Sequence, residues 1–277
     1  MILINGQRFD HISASDRGFQ YGDGLFETIE VLDGHPVFLA EHLQRLHDGC
    51  NKLKIPCPDS VKLVAEIGDI CRDKNSAVLK IVITRGVGGR GYRQPEVIEP
   101  TRALSLHPSP EYPFAYYQHG INARICNTRL GLNPDLAGIK HLNRLEQVMA
   151  RAEWDDADIQ EGIMLDFNGH VIEGTMTNLF YVKDTIVFTS PLKFAGVDGI
   201  IRRKLIQLLS KNAHKVIEQD YNSAALLTAD EVFVCNSVIG IWPVKRIGDI
   251  NFEVGNITKQ LQHWLTESKK RQMSDAT

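Results

Sequence analysis

Gly138-Ile139-Lys140-His141-Leu142-Asn143-Arg144-Leu145-Glu146-Gln147 is the stretch on which the reading of this chain turns, together with Val171-Ile172-Glu173-Gly174-Thr175-Met176-Thr177-Asn178 downstream. A lysine amine becomes a nucleophile when its surroundings keep it neutral, and a carboxylate can hold a protonated aromatic nitrogen in place. An isolated lysine is ordinarily a solvated surface charge. The pattern on either side of Lys140 decides between these readings.

Working outward, Leu142, Leu145, Met149 and Ala152 recur at helical spacing and predict a helix directly after Lys140, with a strand over 121–126 before it. Residues 163–166, 171–173, 178–182 and 186–189 read as a meander, with Asn168-Gly169 at one tight turn. Gly199 opens a helix whose buried face is Ile201, Leu205 and Leu208. Strands over 232–235 and 239–244 and a last helix from Ile257, fraying from Met273, complete this half.

Upstream, residues 26–32 and 36–39 flank Asp33-Gly34 and predict a hairpin, since Asp and Gly tolerate positive φ at its tip. Leu39, Leu43, Leu46, Cys50 and Leu53 form an apolar stripe on the next helix, and His42, Arg45 and Gly49 fall on a neighbouring one. A helix over 61–71 and strands over 77–84 and 103–106 follow. Pro108-Ser109-Pro110-Glu111-Tyr112-Pro113 can extend neither a helix nor a central strand, because proline lacks the amide donor and restricts its neighbour. The expected division is a small N-terminal domain over 1–113, a linker over 114–120 and a larger C-terminal domain over 121–277 that carries Lys140.

Composition narrows the function. A hydrophobic fraction of 43% and a charged fraction of 23% are those of a globular protein, and a net charge of -3 gives no field to attract nucleic acid. No apolar run approaches the ~20 residues that span a bilayer, and the first residues lack the pattern of a secretory signal. Cys50, Cys57, Cys71, Cys126 and Cys235 are scattered and odd in number, which suits reduced thiols in a cytoplasmic protein.

Gly86-Val87-Gly88-Gly89-Arg90-Gly91 matches a dinucleotide-binding glycine pattern, but Pro95 falls where the required helix would be extending. The run reads instead as a mobile loop. His42 and His47 are too far apart in helical phase to share a metal and read as ordinary surface or boundary histidines, and no metal site is expected.

Other candidates bear on anion binding. Val197-Asp198-Gly199-Ile200-Ile201-Arg202 begins a helix, whose unpaired amides and positive dipole end form a natural phosphate cradle. Asn236 and Ser237 end a strand with small polar groups able to donate to the same phosphate. Arg45 offers either a bidentate phosphate contact or a structural pair with a carboxylate.

Taken in order, Asp16-Arg17-Gly18-Phe19-Gln20-Tyr21-Gly22-Asp23-Gly24-Leu25-Phe26-Glu27, Glu41-His42-Leu43-Gln44-Arg45-Leu46, Lys140, Glu173 and Gly199-Ile200-Ile201-Arg202 resemble the fold-type IV, class IV pyridoxal-phosphate aminotransferase family. The resemblance runs to about Val244. It implies a mixed α/β fold (α+β type) in two domains, a small N-terminal α/β lobe and a larger C-terminal lobe on a β-barrel-like core.

By the same resemblance Lys140 is the Schiff-base lysine and the catalytic acid/base, and Glu173 is the partner of the pyridine nitrogen. Arg45, Ile200, Ile201, Asn236 and Ser237 bind the phosphate of pyridoxal 5'-phosphate. At Ile201 and Asn236 the transaminase branches commonly carry threonine and glycine or serine, so contact there is expected through backbone amides. Arg90, Tyr92 and Phe26 are the expected substrate contacts.

Residues 84–92 and 129–147 are most similar to the lyase branch, which converts 4-amino-4-deoxychorismate to 4-aminobenzoate and pyruvate for folate synthesis. The alternative within the family is a D-amino-acid or branched-chain transaminase. A cytoplasmic homodimer acting on a small molecule, with the cofactor between two lobes, is implied in either case.

Overall fold

Alternation along Gly24–Leu32 organises the first half of the chain: Leu25, Glu27, Ile29 and Val31 are buried, while Phe26, Thr28 and Glu30 are half-buried. The computed structural model describes residues 1–275, Asp275 without its side chain. Its internal contacts define two units, one of Met1–Pro110 with Ile139–Asn143 and the residues from Arg271 on, the other of Glu111–Gly138 with Arg144–Lys270. The break at Pro110 falls within the proline-rich stretch. Lys140, assigned from the sequence to the C-terminal domain, groups with the first unit.

The first unit contains β1 (Ile2–Ile4), β2 (Gln7–Arg8), α1 (Arg17–Tyr21), β3 (Gly24–Leu32), β4 (His35–Pro36), α2 (Leu39–Leu53), α3 (Ser60–Cys71), β5 (Ser76–Thr84) and β6 (Thr101–Pro108). Six strands form one sheet in the order β2-β1-β6-β5-β3-β4. β3 and β5 pair antiparallel along their whole length, from Gly24 opposite Thr84 to Leu32 opposite Ser76. Leu25, Ile29, Leu79, Ile81, Ile83 and Leu104 from the strands pack with Leu46 and Cys50 of α2 and Leu63, Ile67 and Ile70 of α3. Each such side chain contributes about 1.5–3 kcal/mol on burial.

The hairpin tip is as expected, with Asp33 at φ 47° and Gly34 at φ 81°, but β4 stops at Pro36 because α2 begins three residues later. The burial of α2 differs from expectation. His42 is 0% exposed and Arg45 7%, whereas Leu39, Leu43 and Leu53 are only half-buried. His42 is therefore no surface or boundary residue, and the cause is Glu27, a charged residue on the core face of β3 that draws α2's polar groups inward.

The second unit holds α4 (Ala115–His119), β7 (Ile121–Leu130), α5 (Leu145–Arg151), β8 (Glu161–Asp166), β9 (Val171–Gly174), β10 (Asn178–Lys183), β11 (Ile186–Thr189), α6 (Ile200–Lys211), β12 (Val216–Glu218), α7 (Ser223–Leu227), β13 (Glu231–Asn236), β14 (Gly240–Ile247), β15 (Ile250–Asn251) and most of α8 (Asn256–Asp275). Strand neighbours run β12-β11-β10-β13-β14-β7-β8-β9, and β9 pairs back onto β10. That last pairing, Glu173 opposite Asn178, closes β10, β13, β14, β7, β8 and β9 into a six-stranded ring, the barrel-like core expected for this half. Alternate residues of all six, among them Ile121, Ile163, Val171, Leu179, Val234 and Trp242, share one hydrophobic cluster.

The helix after Lys140 is shorter than the spacing predicts. It starts only at Leu145, and Leu145, Val148 and Met149 are 75%, 61% and 61% exposed while Ala150 is buried. The apolar stripe faces outward. On α6, Leu209 is buried where Leu208 was expected, one position along the same face. Helix α8 continues through Met273 to Asp275; residues 276–277, included in the expected fraying, lie outside the described residues.

Candidate active site

Lys140 lies in an extended segment rather than a helix. β4 covers only Val31 and Leu32 on one edge of β3, which leaves the beginning of that edge for residues 139–143. The amide of Phe26 donates to the Lys140 carbonyl at 3.0 Å, that of Leu142 donates to the Gly24 carbonyl at 3.0 Å, and Leu25 pairs with His141. Asn143 anchors the end of the segment by donating from Nδ2 to the Gly22 carbonyl at 3.1 Å. Gly22 is at φ 66°, and a Cβ there would fall 2.6 Å from Asn143 Oδ1, so a side chain at this position would be strained and would have to displace Asn143. This framework brings the half-buried Lys140 to Phe26, with Nζ 4.2 Å from the ring centroid.

On the core face of the same strand, Glu27 meets α2. Arg45 Nε donates to Glu27 Oε1 at 2.7 Å and Nη2 to Oε2 at 2.5 Å, and His42 Nδ1 lies 2.6 Å from Oε2. Burial on its own would raise the Glu27 carboxyl, but the Arg45 charge and the hydrogen bonds from His42 and Arg45 outweigh it and hold the group at about 2. Burial pushes His42 below its usual value against the pull of Glu27. Of the two local readings of Arg45, the carboxylate pair is thus present. It occupies two of five guanidinium donors and fixes the plane in which the others point.

Arg90 and Tyr92 are exposed, Tyr92 at 88%, on the segment between β5 and β6. No helix follows Gly91, in keeping with Pro95. The segment expected to be mobile is tied to the first unit by its backbone, through contacts described below.

In the second unit, Glu173 is 4% exposed at the ring-closing pair of β9 and β10. Its Oε2 accepts from the Val197 amide at 2.8 Å and its Oε1 from Gln147 Nε2 at 3.4 Å. Two residues beyond Val197, Gly199 starts α6 with no side-chain cap, although Ile200 and Ile201 are each 1% exposed. Buried helix starts ordinarily have partners for their amides, so this end has the chemistry of an anion site. A Cβ on Gly199 would lie 2.0 Å from Asn178 Oδ1, and Asn178 Nδ2 donates to the Val197 carbonyl at 2.7 Å.

Asn178 also pairs with Cys235 on β13, which links the Glu173 rung to the Asn236-Ser237 turn; α6 packs on the same strand. The Asn236 side chain is committed to that turn. Its Oδ1 accepts from the Val238 and Ile239 amides at 2.8 and 2.9 Å, and its Nδ2 donates to the Met176 carbonyl at 3.1 Å.

Several supporting residues escape sequence reasoning. Glu27 and His42 are separated by a turn and a helix start, and only packing brings them together. Glu161 is fully buried, accepting from the Gly162 and Thr175 amides at 2.8 and 3.0 Å and from the Thr175 and Thr177 hydroxyls at 2.6 and 2.8 Å. It braces the turn between Glu173 and Asn178. Burial raises its carboxyl, against the hydrogen bonds from Thr175, Thr177 and Gly162. A glutamate opening a strand of the meander gives no local signal of this; the nearby Thr-x-Thr is the only cue.

The family model for amino-transferase class IV matches residues 24–247. The chain is 40% identical over 266 residues to an aminodeoxychorismate lyase of Vibrio harveyi, covering 95% of this chain and 98% of that one. It is 34% identical over 275 residues to a putative branched-chain-amino-acid aminotransferase of Methanocaldococcus jannaschii, covering 94% and 93%. Among solved structures, 4-amino-4-deoxychorismate lyase from Pseudomonas aeruginosa superposes with a TM-score of 0.93 at 43% identity, covering 96% of this chain and 98% of that one.

Proposed function

This chain belongs to the class IV aminotransferase family, and from that premise we propose that it is the lyase that converts 4-amino-4-deoxychorismate to 4-aminobenzoate and pyruvate, using pyridoxal 5'-phosphate. One observation carries the fit to the cofactor. The segment 197–201 donates an amide to Glu173 at one end and begins the uncapped, buried start of α6 at the other. A ligand with a cationic ring nitrogen and a phosphate matches that pairing of acid and anion cradle.

In this reading Lys140 is the covalent anchor, Glu173 faces the ring nitrogen, and Arg45 binds phosphate with the amides of Ile200, Ile201, Asn236 and Ser237. Bound pyridoxal phosphate supplies an electron sink for cleavage of the C–H bond next to the substrate nitrogen. Lys140 Nζ, neutral when free, takes that proton, and a single amine serves as acid and base. Phe26, against the amine, limits its directions of approach and shields it from water on one side. Arg90 and Tyr92 hold the two substrate carboxylates. Loss of the enolpyruvyl oxygen as pyruvate makes the ring aromatic, so no second substrate is consumed.

The enzyme is read as a cytoplasmic homodimer. The free state of all five cysteines supports the compartment, and the outward apolar stripe Leu145, Val148 and Met149 supports a subunit contact. No helix among the described residues is long and apolar enough to cross a membrane.

The test is to incubate purified holoenzyme with aminodeoxychorismate alone. Pyruvate and 4-aminobenzoate are expected in equal amounts, and Lys140→Ala is expected to abolish both. The 34% identity to a putative branched-chain aminotransferase favours a second reading: turnover that requires an added keto acid and yields a new amino acid would replace lyase with transaminase.

A further inference from the structure

The glycine-rich loop is built around a buried side chain from a distant part of the sequence. Arg17, at the start of α1, is 4% exposed. Its Nη1 donates to the Gly91 carbonyl at 2.9 Å and the Arg93 carbonyl at 3.5 Å, and its Nη2 to the Tyr92 carbonyl at 3.4 Å. Three successive carbonyls therefore converge on one guanidinium. The main chain adds two ties, with the Arg17 amide donating to the Gly86 carbonyl at 2.9 Å and the Gly88 amide to the Ser15 carbonyl at 3.2 Å.

Tyr21, one turn along α1, completes the anchor. Its ring centroid is 4.9 Å from the Arg17 guanidinium carbon and 5.7 Å from that of Tyr92, and its hydroxyl accepts from the Gly91 amide at 3.1 Å. The glycines of the loop gain a reason in the same geometry. A Cβ on Gly88 would fall 2.7 Å from Arg17 Cδ, so the backbone can pass the arginine stem only without a side chain.

Electrostatics give this role to Arg17 rather than to Arg85. Asp23 accepts from Arg17 Nε at 2.9 Å and also binds Arg85 twice, at 2.8 and 3.0 Å. Arg85 directs its other bonds to the Leu53 and Lys54 carbonyls at the end of α2. Two arginines thus share one carboxylate, and the surplus positive charge is met by carbonyl dipoles, those of residues 91–93 on the Arg17 side. Loss of Arg17 leaves Asp23 paired with Arg85 while the loop loses its centre.

We propose that Arg17 is the positioning residue that shapes loop 86–93 and thereby sets the affinity for substrate while touching neither substrate nor cofactor. The inference rests on the reading of Arg90 and Tyr92 as substrate contacts.

The experiment compares holoenzyme carrying Arg17→Gln, Arg17→Lys, Gly88→Ala or Arg90→Ala, by amide hydrogen exchange and by steady-state kinetics with aminodeoxychorismate. Arg17→Gln is expected to speed exchange at 88–93 at least about tenfold, with the β3 and β5 amides unchanged. KM should rise about tenfold with kcat held within about twofold. Arg17→Lys, a point charge without the fork, should not rescue the loop. Gly88→Ala should loosen it by displacing the arginine stem, which keeps the test open should Arg17→Gln fold poorly.

Unchanged exchange in both Arg17→Gln and Gly88→Ala overturns the proposal. So does a loosened loop with parental KM while Arg90→Ala raises KM. If Arg90→Ala also leaves KM unchanged, the assignment of Arg90 as a substrate contact fails, and the exchange result alone decides whether Arg17 shapes the loop.

Discussion

At the scale of single residues, two buried glutamates shift oppositely: the Arg45 charge helps to overcome burial at Glu27, whereas at Glu161 burial prevails over hydrogen bonds from hydroxyls and amides. Glu27 is matched by Arg45, so Glu27→Gln leaves a buried guanidinium without its counter-charge; a loss of about 3 kcal/mol in urea unfolding is expected. Its folded value of about 2 lies below the ordinary 4.5. The stabilisation, about 3 kcal/mol, is therefore complete above about pH 4.5 and is lost as pH falls towards 2. His42, lowered by burial, acts in the same direction at higher pH, because the unfolded chain's imidazole takes its proton first. The gap in unfolding midpoint between the parent and Glu27→Gln should be wide at about pH 5 and shrink by about pH 3.

For Glu161 the sign reverses. Burial raises its carboxyl, so its charged form costs stability at neutral pH, and that cost disappears as pH falls through the raised value. Glu161→Gln removes the charge and retains oxygen for the Thr175 bonds, and the Thr177 hydroxyl can turn to accept. A change within about 1 kcal/mol of the parent is expected at neutral pH. A loss as large as that of Glu27→Gln would show that the charge itself is needed to brace the turn.

At the scale of elements, the ring of strands closes where the proposed chemistry is concentrated. The Glu173–Asn178 rung joins β9 to β10, Asn178 reaches the Val197 carbonyl, and Gly199 begins α6 against the same asparagine. A methyl group at 199 must displace Asn178 and with it the approach of residues 197–201. Gly199→Ala is therefore expected to weaken pyridoxal phosphate binding about tenfold or more in a fluorescence titration. Retained affinity would separate α6 from the phosphate site.

At the scale of the whole molecule, α5 shows how local periodicity can mislead. Its apolar residues are spaced for a core, yet Leu145, Val148 and Met149 lie outside. As a subunit contact the stripe is rational; as free surface it is a liability. Sedimentation should give twice 31.1 kDa, and Val148→Lys with Met149→Lys should shift the protein towards monomer as concentration falls. A parental dimer in that variant would move the contact elsewhere.

The strands β3 and β5, the Asp33-Gly34 turn, the meander from β8 to β11 and the start of α6 at Gly199 were legible in the chain, because each follows from period, turn chemistry or helix-start chemistry within a few residues. Lys140 and Glu173 stood out only through the resemblance of several motifs in order, which no local period supplies. Contacts between distant segments were not: the Glu27, His42 and Arg45 cluster, the brace from Glu161, and the hold of Arg17 on carbonyls 91–93. Local sequence encodes backbone preference and polarity over a turn or two. Which buried charge meets which partner depends on strand register and on the packing of α1 and α2, and only the folded chain decides that.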